Sequence, residues 1–372
     1  MKKICHITTV HRASDERIFY KECLSLVRHG YEVVLIAPEG MLPGNNALTH
    51  ISLPHFNTRI RRFFSGQRMV FREAMKLHAD LYHFHDPELM PVGVLLSLFG
   101  KKVVYDVHED LPKQVLYKNW IRGRLWRWIA SRLIFVAERF SSLFFNGIAA
   151  ATEDIAVHFP SRKTIILRNF PSLQLMESAA RVSWLKNGFT LVYAGGISRI
   201  RGILEIIKAL EVIGGKVKLL LLGDFDDETY RKECMAETGW QHVDFRGWIS
   251  ISEVYGLMQQ ADVGIATLYP AQNFLRSLPV KAFEYMACGL PMIMSDFPYW
   301  KEIFGSCALF ADPQSPGDVA EKIARLAGDP GLTRQLGEAG RKAVSDSYSW
   351  EKEQDKLMEL YGKILRDGNQ IT

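Results

Sequence analysis

Residues 279–291, Pro-Val-Lys-Ala-Phe-Glu-Tyr-Met-Ala-Cys-Gly-Leu-Pro, hold one carboxylate, Glu284, in a short helical run with marked ends. Proline opens the run, Gly289 suits the left-handed position that follows a helix, and Pro291 forbids continuation. Met-Ile-Met then reads as a strand. A carboxylate so placed can accept hydrogen bonds from two neighbouring hydroxyls at once, the geometry of a ribose 2′,3′-diol. A solvated helix glutamate is the plainer alternative. Residues 189–202, Phe-Thr-Leu-Val-Tyr-Ala-Gly-Gly-Ile-Ser-Arg-Ile-Arg-Gly, run from an apolar strand through a glycine turn and two arginines to a helix beginning near Ile203. Gly195 and Gly196 let a ligand approach the backbone, and Arg199 and Arg201 supply charged donors where a diphosphate would lie. A tight turn with two solvated arginines is the competing reading.

In this order the two segments resemble the family-4 retaining glycosyltransferases of GT-B fold, and the resemblance covers nearly the whole chain. The phosphate loop of that family reads Gly-Arg-Leu, three variable residues, then Lys-Gly; here Gly195-Gly196-Ile197 precedes Ser198-Arg199-Ile200 and Arg201-Gly202. Arg201 replaces the lysine. Gly196 stands in place of the first arginine, which leaves Arg199 to supply the missing charge. The family also carries two glutamates eight positions apart; Glu284 matches the second, and the first falls on Arg276, a donor-only cation that cannot accept from sugar hydroxyls.

The resemblance implies an α/β, GT-B architecture of two Rossmann-like doubly wound domains facing across a cleft. It implies a nucleotide-sugar donor, UDP- or GDP-sugar, as substrate with no further cofactor and no bound metal. The sugar would pass with retention, by same-face attack without a protein nucleophile, to a glycan acceptor, lipid-linked and destined for a bacterial surface polysaccharide. Donor-binding residues under this reading are Gly195, Gly196, Arg246, Arg276, Ser277, Leu278, Lys281 and Glu284. Breaking the anomeric C–O bond releases a diphosphate, so leaving-group stabilisation by Arg199 and Arg201 is the expected main catalytic effect. His108, in the polar loop after a strand at 102–105, matches a family histidine beside the donor sugar and could hold a hydroxyl or relay a proton.

A chain of 372 residues with 48% hydrophobic and 23% charged residues suits two globular domains. The expected boundaries are 1–175, with a terminal helix at 350–366 packing back on it, and 176–349. Five scattered cysteines without a Cys-x-x-Cys pair fit reduced thiols and a cytoplasmic protein. Met-Lys-Lys at the start is followed by only a short apolar stretch, which reads as a first strand rather than a signal peptide. Apolar runs at 4–9, 32–37, 81–84, 102–105 and 147–150, then 191–194, 217–222, 263–267 and 292–295, read as strands alternating with helices, such as those at 15–29 and 130–144. The connector is expected at 169–187.

Charge is unevenly placed. Residues 1–186 carry 26 Lys and Arg against 16 Asp and Glu, whereas the remainder carries 20 against 25. Two stretches of the basic half mix cations with aromatics: 59–76, with Arg59, Arg61, Arg62, Phe63 and Phe64, and 120–128, with Trp120, Arg122, Arg124 and Trp128. These are the ingredients of an anionic membrane surface contact; no nucleic-acid reader motif accompanies them. The loop after the first strand, 11–17, offers His11, Asp15 and Arg17 as acceptor-binding candidates, with Asp15 equally suited to a helix cap. His83, His85 and Asp86 lack the spread of a catalytic zinc site, so acceptor positioning is assigned to His85.

Two other functions share these features. A nucleotide-sugar epimerase would need an acid/base pair and no acceptor, and a non-catalytic binding module would make Arg276 the mark of lost activity. A dehydrogenase is excluded, because the glycine turn lacks Gly-x-Gly-x-x-Gly spacing.

Overall fold

The computed structural model describes the chain apart from residues 41, 43–47, 117–120, 122, 272, 273, 276 and 367–372, and for Arg59 the backbone only. Two compact units form: Met1–Asn169 together with the segment from Trp350, and Phe170–Ser349.

The first unit is built on a seven-stranded sheet in the order β3-β2-β1-β4-β5-β6-β7. Its strands are β1 Lys3–Ile7, β2 Glu32–Pro38, β3 Thr49–Leu53, β4 Leu81–Phe84, β5 Val103–Val107, β6 Gly147–Ala150 and β7 Thr164–Ile166. All pairings are parallel. Such sheets need both faces covered, which is why the central strands are buried and mostly apolar. Helices Gln67–Leu77 and Met90–Leu98 pack Val70, Ala74, Val92 and Leu96 with Tyr82, Tyr105 and Ile148. The other core gathers Ile18, Leu26, Leu35 and Val104 with Trp350, Leu357 and Tyr361 of the helix Trp350–Arg366. Trp350 Nε1 donates to Ser25 Oγ at 2.9 Å.

Between β1 and β2 the chain makes a π-helix, Glu16–Cys23, before the α-helix Leu24–Arg28. The wider i→i+5 turn brings Arg17, Lys21 and Glu22 to one side, and all three are buried.

The second unit carries a six-stranded sheet in the order β10-β9-β8-β11-β12-β13. Its strands are β8 Phe189–Ala194, β9 Val217–Leu222, β10 Val243–Gly247, β11 Val263–Ala266, β12 Met292–Ser295 and β13 Ala308–Ala311. The expected connector contains a helix, Leu173–Glu177, whose Met176 is part of this unit's core. Helix Val280–Ala287 lies close on the sheet because β11 has Gly264 beneath the Tyr285 ring; a Cβ there would sit 2.3 Å from it. Four strands outside the sequence expectation, β3, β7, β10 and β13, occupy the four sheet edges. Among the described residues, no helix is long and apolar enough to cross a membrane.

Candidate donor site and a buried polar network

Gly195 follows β8 with φ 125°, and a Cβ there would lie 3.2 Å from Lys281 Nζ and 3.9 Å from Arg201 Nη1. Three elements therefore converge on one point: the glycine turn, the 3₁₀ turn Arg199–Arg201 and the first turn of the helix Val280–Ala287. Lys281 Nζ sits 3.6 Å from the centre of the Tyr193 ring, a cation–π contact. It is buried and has no hydrogen-bond partner among the described residues. Burial pushes its pKa well below the lysine range, Arg201 pushes it further down, and Glu284 opposes both. Two cations beside an open glycine, one without a partner, suit an anionic ligand that would offset the desolvation cost.

Glu284 lies three residues after Lys281, on the same side of the helix. It is 8% exposed and accepts a hydrogen bond from the Tyr255 hydroxyl at 3.1 Å. The helix is fastened by Tyr285, whose hydroxyl accepts from Ala194 N at 3.2 Å and donates to Ile265 O at 3.4 Å. The turn is fixed from its other end by Gly202, at φ 68°, which passes so close to β11 that a Cβ would meet Thr267 O at 2.1 Å.

The remaining expected donor residues are placed differently. Arg199 turns outward, forms a bidentate ion pair with Glu233 and lies over the Tyr230 ring at 4.8 Å. This corrects the expected pairing of Arg199 with Arg201: the second cation beside Gly195 is Lys281. Arg246, at the end of edge strand β10, is held by its neighbour Asp244 at 2.7 and 2.8 Å. Ser277 O accepts from Trp300 Nε1 at 2.7 Å, and Leu278 packs at the margin of the core. Gly196 is exposed, and a Cβ there would meet nothing within 4 Å. Arg276 lies outside the described residues.

In the first unit, His11 and His108 meet, their ring centres 5.1 Å apart. The loop carrying His11 is seated on Asp86, which accepts from Thr8 Oγ1 at 3.0 Å and Val10 N at 3.2 Å. His11 Nδ1 lies 3.4 Å from Asp15 and its Nε2 3.5 Å from Asp86. Burial alone would lower the His11 pKa; the bond to Asp15 and the nearby carboxylates raise it instead. Asp15 caps the π-helix, accepting from Arg17 N and Ile18 N at 2.9 and 3.0 Å. Burial opposes its charge, yet the bond from His11 and the helix N–H bring its pKa down to about 2.

Arg17 and His85 are not surface contacts for an acceptor, and this is a second correction. Both are buried, because Asp106 near the C-terminal end of β5 draws them in: Arg17 donates from Nε and Nη2 at 2.8 and 2.7 Å, and His85 Nδ1 lies at 2.9 Å. His85 Nε2 reaches His6 Nδ1 at 3.0 Å, and the Tyr361 hydroxyl lies 2.6 Å from His83 Nδ1 and 3.3 Å from His6 Nε2. Burial lowers the pKa of all three histidines, that of His85 to about 3. Glu22 sits among them, its Oε2 3.6 Å from His83 Nδ1 and its Oε1 3.1 Å from Arg17 Nε. Burial, with Asp106 nearby, raises its pKa well above the carboxylate range. His6, Glu22, His83 and His85 each bring a ligand atom within 4.8 Å of the others, a grouping the spacing of His83 and His85 does not reveal. Within it His6 Nδ1 and His85 Nε2 share one hydrogen bond and Tyr361 bonds His83 Nδ1, whereas His83 Nε2 and the Glu22 oxygens have no hydrogen-bond partner among the described residues.

Comparison with solved structures places this architecture. The fold matches sucrose-phosphate synthase from Thermosynechococcus elongatus (TM-score 0.71, 18% identity, 99% of this chain and 100% of that one). It equally matches Anabaena HepE in complex with UDP-glucose (TM-score 0.71, 16% identity, 98% and 100%). The fold is GT-B, two Rossmann-like α/β units. The family model Glycosyltransferase Family 4 matches residues 16–170 and Glycosyl transferases group 1 matches residues 188–329, so the chain belongs to the family-4, group 1 glycosyltransferases. Relatives include the MMP alpha-(1->4)-mannosyltransferase of Mycolicibacterium hassiacum, 23% identical over 83% of this chain and 75% of that one. The capsular polysaccharide biosynthesis glycosyltransferase CapM of Staphylococcus aureus is 19% identical over 98% of each.

Proposed function

We propose that the second unit binds a nucleoside diphosphate sugar, UDP- or GDP-linked, and that the enzyme passes its hexosyl group with retention to a lipid-linked glycan in bacterial surface polysaccharide synthesis. The observation that carries the donor assignment is the buried Lys281 ammonium, unpartnered beside Gly195 and Arg201. A diphosphate there meets two cations and the first turn of a helix, and the charge that grows on the leaving oxygen is stabilised most. Glu284 accepts from the ribose hydroxyls. His108, with His11 beside it, holds a sugar hydroxyl or relays a proton, both of which an imidazole can do. The polysaccharide destination is supported by the named role of CapM, and the uridine option by the HepE complex with UDP-glucose.

Thermal shift against a panel of nucleoside diphosphates and their sugars tests the reading, since stabilisation grows with ligand concentration over Kd. UDP or GDP should raise Tm, and Lys281→Ala and Glu284→Ala should each abolish the rise. Release of nucleoside diphosphate should require a glycan acceptor. Unchanged binding by Lys281→Ala removes the diphosphate assignment.

A further inference from the structure

Helix Arg124–Ser142 presents its apolar side to solvent. Leu125, Ile129, Leu133, Val136 and Phe140 recur at intervals of three and four and form one stripe. Leu125 is 66% exposed, Leu133 65%, Val136 61% and Phe140 61%, and Trp126 on the stripe's margin is 65% exposed. The buried positions of the same helix are Glu138 and Ser142. A helix laid on a sheet normally has the reverse arrangement.

The neighbouring helix Met90–Leu98, which contacts both this helix and Gln67–Leu77, extends the surface. Its Leu98 is 64% exposed, and Phe99, which follows, is 61% exposed with its ring 5.7 Å from that of Phe71. Cations lie along the stripe. Among the described residues, no carboxylate lies within ion-pair distance of Arg124, Arg127, Arg132 or Arg139. Arg132 lies over the Trp128 ring at 5.5 Å. Near residue 60 the picture is mixed: Phe64 is 70% exposed, but Arg62 is held by Glu88 at 2.7 and 3.0 Å.

We propose that this face docks on an anionic bilayer surface, with the Leu-Val-Phe stripe and Trp126 entering the headgroup boundary and the arginines meeting anionic headgroups. Charge complementarity selects this occupant. An exposed apolar stripe flanked by arginines that no carboxylate neutralises among the described residues, in a half of the chain with 26 cationic against 16 anionic residues, suits a surface that is negative above and apolar below. The inference stands apart from the identity of the donor sugar.

Co-sedimentation of the full chain with vesicles of equal parts phosphatidylglycerol and phosphatidylcholine, against phosphatidylcholine alone, tests it. At low salt the protein should pellet with the anionic vesicles, and Trp126 and Trp128 fluorescence should be quenched by brominated lipid. High salt, which shortens the screening length to about 3 Å at 1 M, should release it. Arg124→Glu with Arg132→Glu, and separately Leu133→Ser with Phe140→Ser, should each lower the bound fraction about tenfold. All four side chains are exposed, and circular dichroism and retained donor thermal shift confirm that each variant folds. Three results would overturn the proposal: wild type staying in the supernatant, both variants binding like wild type, or a dimer in solution that Leu133→Ser with Phe140→Ser dissolves while anionic vesicles recruit nothing.

Discussion

On the proposed donor reading, a lysine from a helix supplies the charge that the glycine loop after β8 lacks. Gly196 stands in place of the family's arginine, and Lys281 reaches the same neighbourhood from the helix that also carries Glu284. Lys281→Ala should weaken nucleoside diphosphate binding by roughly tenfold to a hundredfold, the range of one charge-assisted hydrogen bond. Adding Gly196→Arg should recover part of the loss, because a Cβ at 196 meets nothing within 4 Å. Calorimetric titration decides this; a double variant no better than Lys281→Ala alone would show that the two positions do not serve one phosphate site. Arg199→Ala should change affinity by about twofold or less, since Arg199 is spent on an exposed pair with Glu233. Spacing named the loop and both of its arginines. It could not say which one faces the glycine, because residues two apart on a tight turn point in different directions, and the burial of Lys281 depends on Tyr193 from another element.

Elements buried on both faces were legible, and those at the margins were not. Strands β1, β2, β4, β5 and β6 of the first sheet and β8, β9, β11 and β12 of the second are mostly apolar and almost wholly buried, a pattern that a sequence displays directly even with His6, His83 and Asp106 set among them. The edge strands β3, β7 and β10 are largely half-exposed, and β13 is buried only at its ends. Each is paired on one side only; β3, β7 and β10 are short or interrupted by polar residues, whereas β13, Ala-Leu-Phe-Ala, is apolar but only four residues long. The π-helix escaped for a different reason: the buried charges Arg17, Lys21 and Glu22 look like a solvated face when read with an α-helical period. Their partners His6 and Asp106 lie on other strands, and strand pairing rather than spacing brings them together. At the donor loop, element packing makes its own prediction. Gly202 is left-handed and pressed on Thr267 O, so Gly202→Ala should destabilise the second unit by about 1–3 kcal/mol and lower its denaturant midpoint. Gly196→Ala should leave the midpoint unchanged; equal losses for the two would mean that the turn is not pinned at Gly202.

Across the whole molecule, each unit has its own cores, and the first is completed by the far end of the chain. The buried network ties this unit together, joining β1, β4, β5, the π-helix and, through Tyr361, the helix Trp350–Arg366. Its polarity is consistent with a nearly neutral cluster: the Arg17 charge is balanced by Asp106, and the histidines are held uncharged. Glu22 is the member that reports on this. Its folded pKa is raised by burial and by Asp106 above the ordinary carboxylate value of 4.5, so folding takes up a proton once the unfolded chain has ionised. The stability it contributes is therefore full below pH 4.5 and is lost as pH rises toward its folded pKa, by about 1.4 kcal/mol per pH unit. Glu22→Gln keeps the shape without that proton. The variant should match wild type near pH 4.5 and gain on it steadily as pH rises, reaching a plateau only above the folded pKa. Melting both proteins from pH 4.5 to 8 measures the difference, in which titrations common to the two chains cancel. An offset independent of pH would mean that Glu22 is ionised in the native protein and held by Arg17, leaving the cluster with a net negative charge.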